Sequence, residues 1–163
     1  MISQRTPFDC GIATLANALD ITYEQSLALY GQDKKHNGVT IQNTASILFG
    51  LGYAPVYTTF PGFVKASGIS MSTASPDVLE TLGHPAILQV LTPSGVVHQV
   101  FFDGKNILDP APSVNGARSA SEYECVDAVF VIKASELLVR KQSFSQANVV
   151  NPIADINPLK DAL

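Results

Sequence analysis

The sequence is organised around one stretch close to its start, Gln4-Arg5-Thr6-Pro7-Phe8-Asp9-Cys10-Gly11-Ile12-Ala13. Pro7 disfavours an earlier helical start, and Asp9 is a suitable N-cap for a helix that continues to about Leu19. A cysteine in the first turn of a helix faces unpaired backbone N–H groups and the positive end of the helix dipole. Both features favour the thiolate over the thiol. The stretch therefore predicts a reactive thiol at Cys10.

The composition is that of a globular domain with a sizeable core. The chain has 163 residues, of which 46% are hydrophobic and 15% are charged, and this fits one compact domain. The formal net charge is −4. The main cationic cluster, Lys34-Lys35-His36, is far shorter than a nucleic-acid-binding stripe. We therefore expect neither nucleic acid nor an anionic membrane surface as a partner.

The start of the sequence and its cysteines bear on location and cofactors. No charged start followed by an apolar run marks a signal peptide, and no apolar stretch approaches transmembrane length. We expect a protein that is cytoplasmic or packaged in an assembled particle. Cys125 lies in an apolar run typical of a buried strand, which predicts a small core residue there. Neither cysteine has a metal-binding spacing, so no metal and no cofactor is expected.

The hydrophobic periodicity predicts helices first and antiparallel strands afterwards. Helices are expected over residues 9–19, 22–30, 39–49 and 75–82, with a polar loop over 32–38. Strands are expected over residues 54–60, 85–91, 96–102, 106–109 and 127–132. Residues 61–75 are left unassigned, as either a lid or a loop. This order is typical of an α+β domain, with N-terminal helices packed on an antiparallel sheet.

The composition changes near residue 143. The chain beyond it contains two Asn-Pro pairs and isolated apolar residues without a sustained period. We therefore expect a domain over residues 1–142 and a C-terminal extension over 143–163. Such an extension is typical of a loosely attached terminus. The alternative is that it docks on a protein partner.

One of the three histidines is a candidate catalytic base. His36 lies in a polar loop and His84 at a helix-to-strand turn, whereas His98 lies within an apolar strand. The Asp103-Gly104 pair predicts a hairpin turn after that strand. The hairpin would bring Asp109 beside His98, where a carboxylate fixes the imidazole tautomer and supports the imidazolium.

Four motifs follow one another along the chain: Gln4-x-x-x-x-Asp9-Cys10-Gly11-x-Ala13, Gly83-x-Pro85-Ala86-Ile87, His98-x-Val100 and Leu108-Asp109-Pro110. Their order resembles that of the C39-type papain-like cysteine peptidases. The resemblance implies a papain-like fold and cleavage of a peptide or amide bond in a peptide or protein substrate. It also implies catalytic roles, with Cys10 as nucleophile, His98 as general base, Asp109 as orienting acid and Gln4 as oxyanion donor.

Two other interpretations remain open, because a fold hosts more than one function. The same thiol chemistry with a different acceptor would give an acyl- or amidotransferase. Alternatively, the fold would serve as a structural or assembly component, for example of a phage particle, with the C-terminal tail docked on its neighbours. Product analysis with and without an added amine tests the first, and deletion of residues after about 143 tests the second.

Overall fold

The computed structural model describes residues 1–137. Met1–Lys133 form one compact unit, and residues 134–137, which are helical, belong to a second unit. The expected boundary at residue 142 and the extension over 143–163 lie outside the described residues.

The first unit mixes helices and strands, as an α+β protein does. Its helices are α1 (Cys10–Leu19), α2 (Tyr23–Tyr30), α3 (Lys34–Asn37), α4 (Ile41–Gly50), α5 (Pro61–Ser67) and α6 (Asp77–Leu82). Its strands are β1 (Val56–Thr59), β2 (Ala86–Leu91), β3 (Val97–Phe102), β4 (Ile107–Leu108) and β5 (Glu124–Phe130). A short 3-10 helix, Ala120–Glu122, precedes β5. Within residues 1–137, no helix combines the length and the apolar character needed to cross a bilayer.

The five strands form one antiparallel sheet in the order β1-β5-β2-β3-β4. The predicted hairpin is confirmed, because β3 pairs with β4 through Phe101 opposite Leu108 and Phe102 opposite Ile107. The Asp103 carboxylate stabilises the connecting turn by accepting from the backbone N–H groups of Lys105 and Asn106 at 2.9 and 2.7 Å. The turn sends the chain back along β3 and carries Asp109 towards His98.

Both faces of the sheet are covered, and the residues of each strand alternate between them. One face packs against α1 and α4; its buried cluster is Leu15, Ile41, Leu48, Ile87, Phe101 and Val129. The opposite face packs around Phe60 and Leu79, with Leu88, Val100, Phe102 and Phe130 from the strands. The predicted packing of N-terminal helices on an antiparallel sheet is therefore confirmed.

Helices α2 and α4 each begin after a threonine N-cap. Thr22 accepts from the backbone N–H of Gln25, and Thr40 accepts from that of Asn43, each within a capping box. The end of α2 at Gly31 also matches the prediction, since the left-handed φ of 100° there suits glycine.

Three segments differ from the prediction. The polar loop over residues 32–38 contains the one-turn helix α3, and the unassigned residues 61–75 contain α5. Pro61 starts α5 at a position where proline is favoured, and Gly62 lets the helix approach the backbone of Cys125. The last strand begins at Glu124 and ends at Phe130, earlier than predicted. Helix α5 packs against β5, and this tertiary contact stabilises a helix whose own sequence shows little periodicity.

Candidate active site

Helix α1 begins at Cys10, and Asp9 occupies its N-cap position without a side-chain cap. The fully buried Asp9 carboxylate instead turns back and accepts from the backbone N–H groups of Arg5 and Thr6, both at 3.0 Å, and from the Tyr23 hydroxyl. The predicted N-cap position of Asp9 is confirmed, but its side chain does not cap the helix. The carboxylate stabilises the preceding loop, and the first-turn N–H groups are not taken by it. That of Gly11 helps to lower the pKa of the Cys10 thiol.

The N-terminal half of α1 lies along an edge of β3. Because β4 pairs only with Phe101 and Phe102, the backbone of Gln99 is left facing the helix. Its carbonyl accepts from the Thr14 hydroxyl at 2.9 Å, and its backbone lowers the pKa of the Cys10 thiol. The buried Gln99 carbonyl thus finds a partner on α1, as a buried backbone group requires. This contact holds the part of α1 that carries Cys10 against β3.

His98 and Asp109 form the contact that the hairpin predicts. Nε2 of His98 lies 2.8 Å from Oδ1 of Asp109, and the two side chains are 13% and 6% exposed. Cys10 and His98 lie near enough that His98 lowers the pKa of the thiol and Cys10 raises the pKa of the imidazole. Since Asp109 engages Nε2, Nδ1 is left for the sulfur. The three side chains therefore form one continuous series.

The charges of this series reinforce one another. Burial alone would raise the pKa of the Cys10 thiol, but the hydrogen bonds from His98 and from the Gln99 backbone lower it overall. Burial opposes the charged form of His98, yet Asp109 and Cys10 raise its pKa to about 9. The pKa of Asp109 is lowered despite burial, chiefly by His98. The site thus favours a thiolate next to an imidazolium.

Two further groups hold the Asp109 carboxylate. The backbone N–H of Ala111 donates to Oδ1 at 2.8 Å, and the Tyr123 hydroxyl donates to Oδ2 at 3.0 Å. Sequence reasoning missed Tyr123. It lies beyond an irregular stretch, and no local pattern links it to the hairpin.

The loop that carries Gln4 runs beside this acid. The backbone N–H of Gln4 donates to the Pro110 carbonyl at 2.8 Å, and its side-chain Nε2 donates to the Thr6 carbonyl at 3.0 Å. Oε1 is buried without a hydrogen-bond partner among the residues that the structure describes. The Gln4 amide is therefore held at one end only, which leaves it able to reorient.

A cavity of about 780 Å³ adjoins these side chains. Its lining includes three of the four predicted site residues, Gln4, His98 and Asp109, whereas Cys10 does not contribute to it. Apolar side chains such as Val90, Leu91 and Val114 form much of the remainder. Two ion pairs, Lys65 with Glu124 and Arg118 with Glu122, also lie in the lining. The cavity has the volume of a ligand site.

The second cysteine is separate from this chemistry. Both cysteines are unpaired thiols, and Cys125 is buried on β5 within the core, as predicted. Burial raises the pKa of Cys125 to about 11. Within residues 1–137, no cluster of three or more His, Cys, Asp or Glu side chains could hold a metal ion.

No protein-family model matches this chain, and no curated protein matches it significantly. The interpretation of the site therefore depends on its own residues and their geometry.

Proposed function

We propose that this protein is a cysteine peptidase with a papain-like fold of the C39 type, and that it hydrolyses a peptide or amide bond. The observation that carries the proposal is the 2.8 Å contact of His98 Nε2 with Asp109 Oδ1, next to a Cys10 at the start of α1 that is near enough for His98 to lower its pKa. A thiolate paired with an imidazolium, whose other nitrogen meets a carboxylate, is the arrangement that activates a cysteine nucleophile.

The way in which the site is assembled supports the same proposal. The nucleophile comes from a helix N-terminus, while the base and its acid come from one hairpin of the sheet. The loop that carries Gln4 is tied to Pro110, next to the acid. The adjoining cavity of about 780 Å³ offers room for several residues of a peptide next to His98.

The reaction follows from these positions. The Cys10 thiolate attacks the carbonyl carbon, and the resulting oxyanion is stabilised by the Cys10 backbone N–H and by the Gln4 side-chain amide after it reorients. The His98 imidazolium then donates its proton to the departing amine, and a thioester remains on Cys10. Neutral His98 next accepts a proton from water as the water attacks the thioester. This step releases the carboxylic acid and restores the thiolate.

Alkylation of Cys10 by iodoacetamide tests the proposed ion pair without knowledge of the substrate. We expect the wild-type thiol to react at pH 6, well below the ordinary cysteine pKa of about 8.5, and we expect His98→Ala to lose this reactivity. Mass spectrometry separates Cys10 from Cys125, whose burial protects it while the protein is folded. A wild-type Cys10 that reacts like an ordinary thiol, with no effect of His98→Ala, would contradict the proposal.

A peptide library then tests hydrolysis itself. We expect Cys10→Ala to abolish cleavage while the melting temperature changes little, because the thiol contributes reactivity rather than packing. The same assay with an added primary amine distinguishes a transferase. A peptidase gives the free acid in both reactions, whereas a transferase gives the amide in the second. Cleavage that persists undiminished in Cys10→Ala would exclude Cys10 as the nucleophile.

A further inference from the structure

The two carboxylate oxygens of Asp109 are held by different numbers of hydrogen-bond partners. Oδ1 meets both His98 Nε2 and the Ala111 N–H, each at 2.8 Å, while Oδ2 accepts from the Tyr123 hydroxyl at 3.0 Å. Asp109 as a whole residue is only 4% exposed. Without the hydroxyl, Oδ2 would lose the one donor that the structure gives it among the described residues. A carboxylate can turn about its terminal torsion unless both oxygens are held.

Tyr123 is itself placed by the sheet rather than by the loop that carries Asp109. It directly follows the 3-10 helix Ala120–Glu122, whose first turn is closed by a capping box from Ser119 to Glu122. It directly precedes β5, and its ring packs against the core cluster that contains Phe60 and Leu88. The hydroxyl is therefore a point of support that does not depend on the hairpin.

The Tyr123 hydroxyl remains a hydrogen-bond donor over the whole pH range of the alkylation experiments. Burial and the Asp109 charge raise the pKa of Tyr123 further above its ordinary value, so the phenol stays protonated. Tyr123 also lines the cavity beside His98.

We propose that Tyr123 is a positioning residue of the candidate active site, whose hydroxyl holds the Asp109 carboxylate so that Oδ1 stays on His98 Nε2. The imidazole is then held with its other nitrogen towards Cys10. This inference rests on the thiolate–imidazolium pair of the proposed function. Tyr123 acts through Asp109 and touches no reacting atom.

The pH profile of Cys10 alkylation distinguishes positioning from a purely electrostatic effect. If Tyr123→Phe lets the carboxylate turn away, the imidazolium loses support, the thiolate forms at higher pH and alkylation at pH 6 falls. If the carboxylate stayed in place, loss of a donor would make it more basic. The imidazolium would then gain support, and alkylation at pH 6 would rise.

We expect Tyr123→Phe to lower the alkylation rate constant of Cys10 at pH 6 by about threefold to tenfold, which corresponds to a rise of about half to one unit in the midpoint of the acid limb. The matched control is Tyr57→Phe. It removes the same kind of hydrogen bond, 2.9 Å to buried Asp127, from the opposite edge strand of the sheet. This control should leave the profile of Cys10 unchanged.

The outcomes separate the two proposals. An unchanged or acid-shifted profile in Tyr123→Phe, with the wild type fast and His98→Ala slow, overturns the role of Tyr123 alone. A wild-type Cys10 that reacts like an ordinary thiol overturns both proposals. Protection of Cys125 shows that each variant is folded, and Tyr123→Met replaces Tyr123→Phe if that protection is lost. The same loss at pH 6 is then expected.

Discussion

Gln4 combines two interactions that belong to different parts of the residue. Its backbone N–H ties the N-terminal loop to the Pro110 carbonyl, and its side-chain amide is the proposed oxyanion donor. A side-chain substitution should therefore affect the chemistry while the loop stays attached. The neighbouring Asp9, fully buried with three donors around it, keeps the same loop in place.

We predict that Gln4→Ala lowers kcat by about 10²–10³ on any substrate that the peptide screen identifies, because one oxyanion donor is lost. The alkylation profile of Cys10 should stay close to that of the wild type, since the Gln4 side chain donates to the Thr6 carbonyl and not to the ion pair. Steady-state kinetics and alkylation of the same preparation check both statements. A normal kcat would remove Gln4 from the mechanism.

At the scale of elements, the position of Cys10 depends on how closely α1 approaches β3. Gly11 faces the strand, and a Cβ atom at this position would run into Val39 Cγ2 and Gln99 Oε1. The hydrogen bond from the Thr14 hydroxyl to the Gln99 carbonyl requires this approach. The glycine after the cysteine therefore serves the docking of the helix.

We predict that Gly11→Ala destabilises the protein by about 1–3 kcal/mol, because the added methyl group overpacks the contact between α1 and β3. Urea unfolding measures the change. The matched control is Gly50→Ala at the exposed end of α4, where a Cβ would meet nothing within 4 Å. That substitution should be neutral or stabilising by up to about 1 kcal/mol, because alanine favours the helix. Equal effects at the two positions would contradict the packing argument.

At the scale of the whole molecule, a second buried carboxyl group makes folding depend on pH. Asp127 on β5 is 3% exposed, and burial raises its pKa to about 6, although the Tyr57 hydroxyl lowers it. The unfolded value is about 3.9. The folded state therefore binds more protons between these values, so the contribution of Asp127 to stability is greatest below pH 4 and is lost as the pH rises through 6.

We predict that the free energy of unfolding of Asp127→Asn, relative to that of the wild type, is higher at pH 7 than at pH 4. The difference is up to about 3 kcal/mol, because two pKa units correspond to that energy. Free energies of unfolding in urea at both pH values measure the difference. Tyr57→Phe removes a donor to the Asp127 carboxylate and should raise its pKa further. The stability of this variant should therefore depend on pH more steeply than that of the wild type. The same difference at both pH values would show that Asp127 does not titrate in this range.

Much of the fold could be predicted because the sequence signals that specify its elements lie within short segments. The caps at Thr22 and Thr40, the Asp103-Gly104 turn and the apolar strands around it all specify their elements within a few residues. The contact of His98 with Asp109 was predictable for the same reason, since a short hairpin relates the two positions. Helix α5 was missed because its short sequence gains stability from β5 rather than from its own periodicity.

The sequence by itself determined the α+β class, the start of α1 at a cysteine and the hairpin that pairs His98 with Asp109. Each of these depends on caps, turns and periodicity within short segments. Only the tertiary structure decided that the Asp9 side chain supports a loop instead of capping α1, that Thr14 joins α1 to Gln99 of β3, and that Tyr123 holds the acid. Their partners are distant in the chain or depend on side-chain direction. Such contacts form only when helix, loop and sheet pack together.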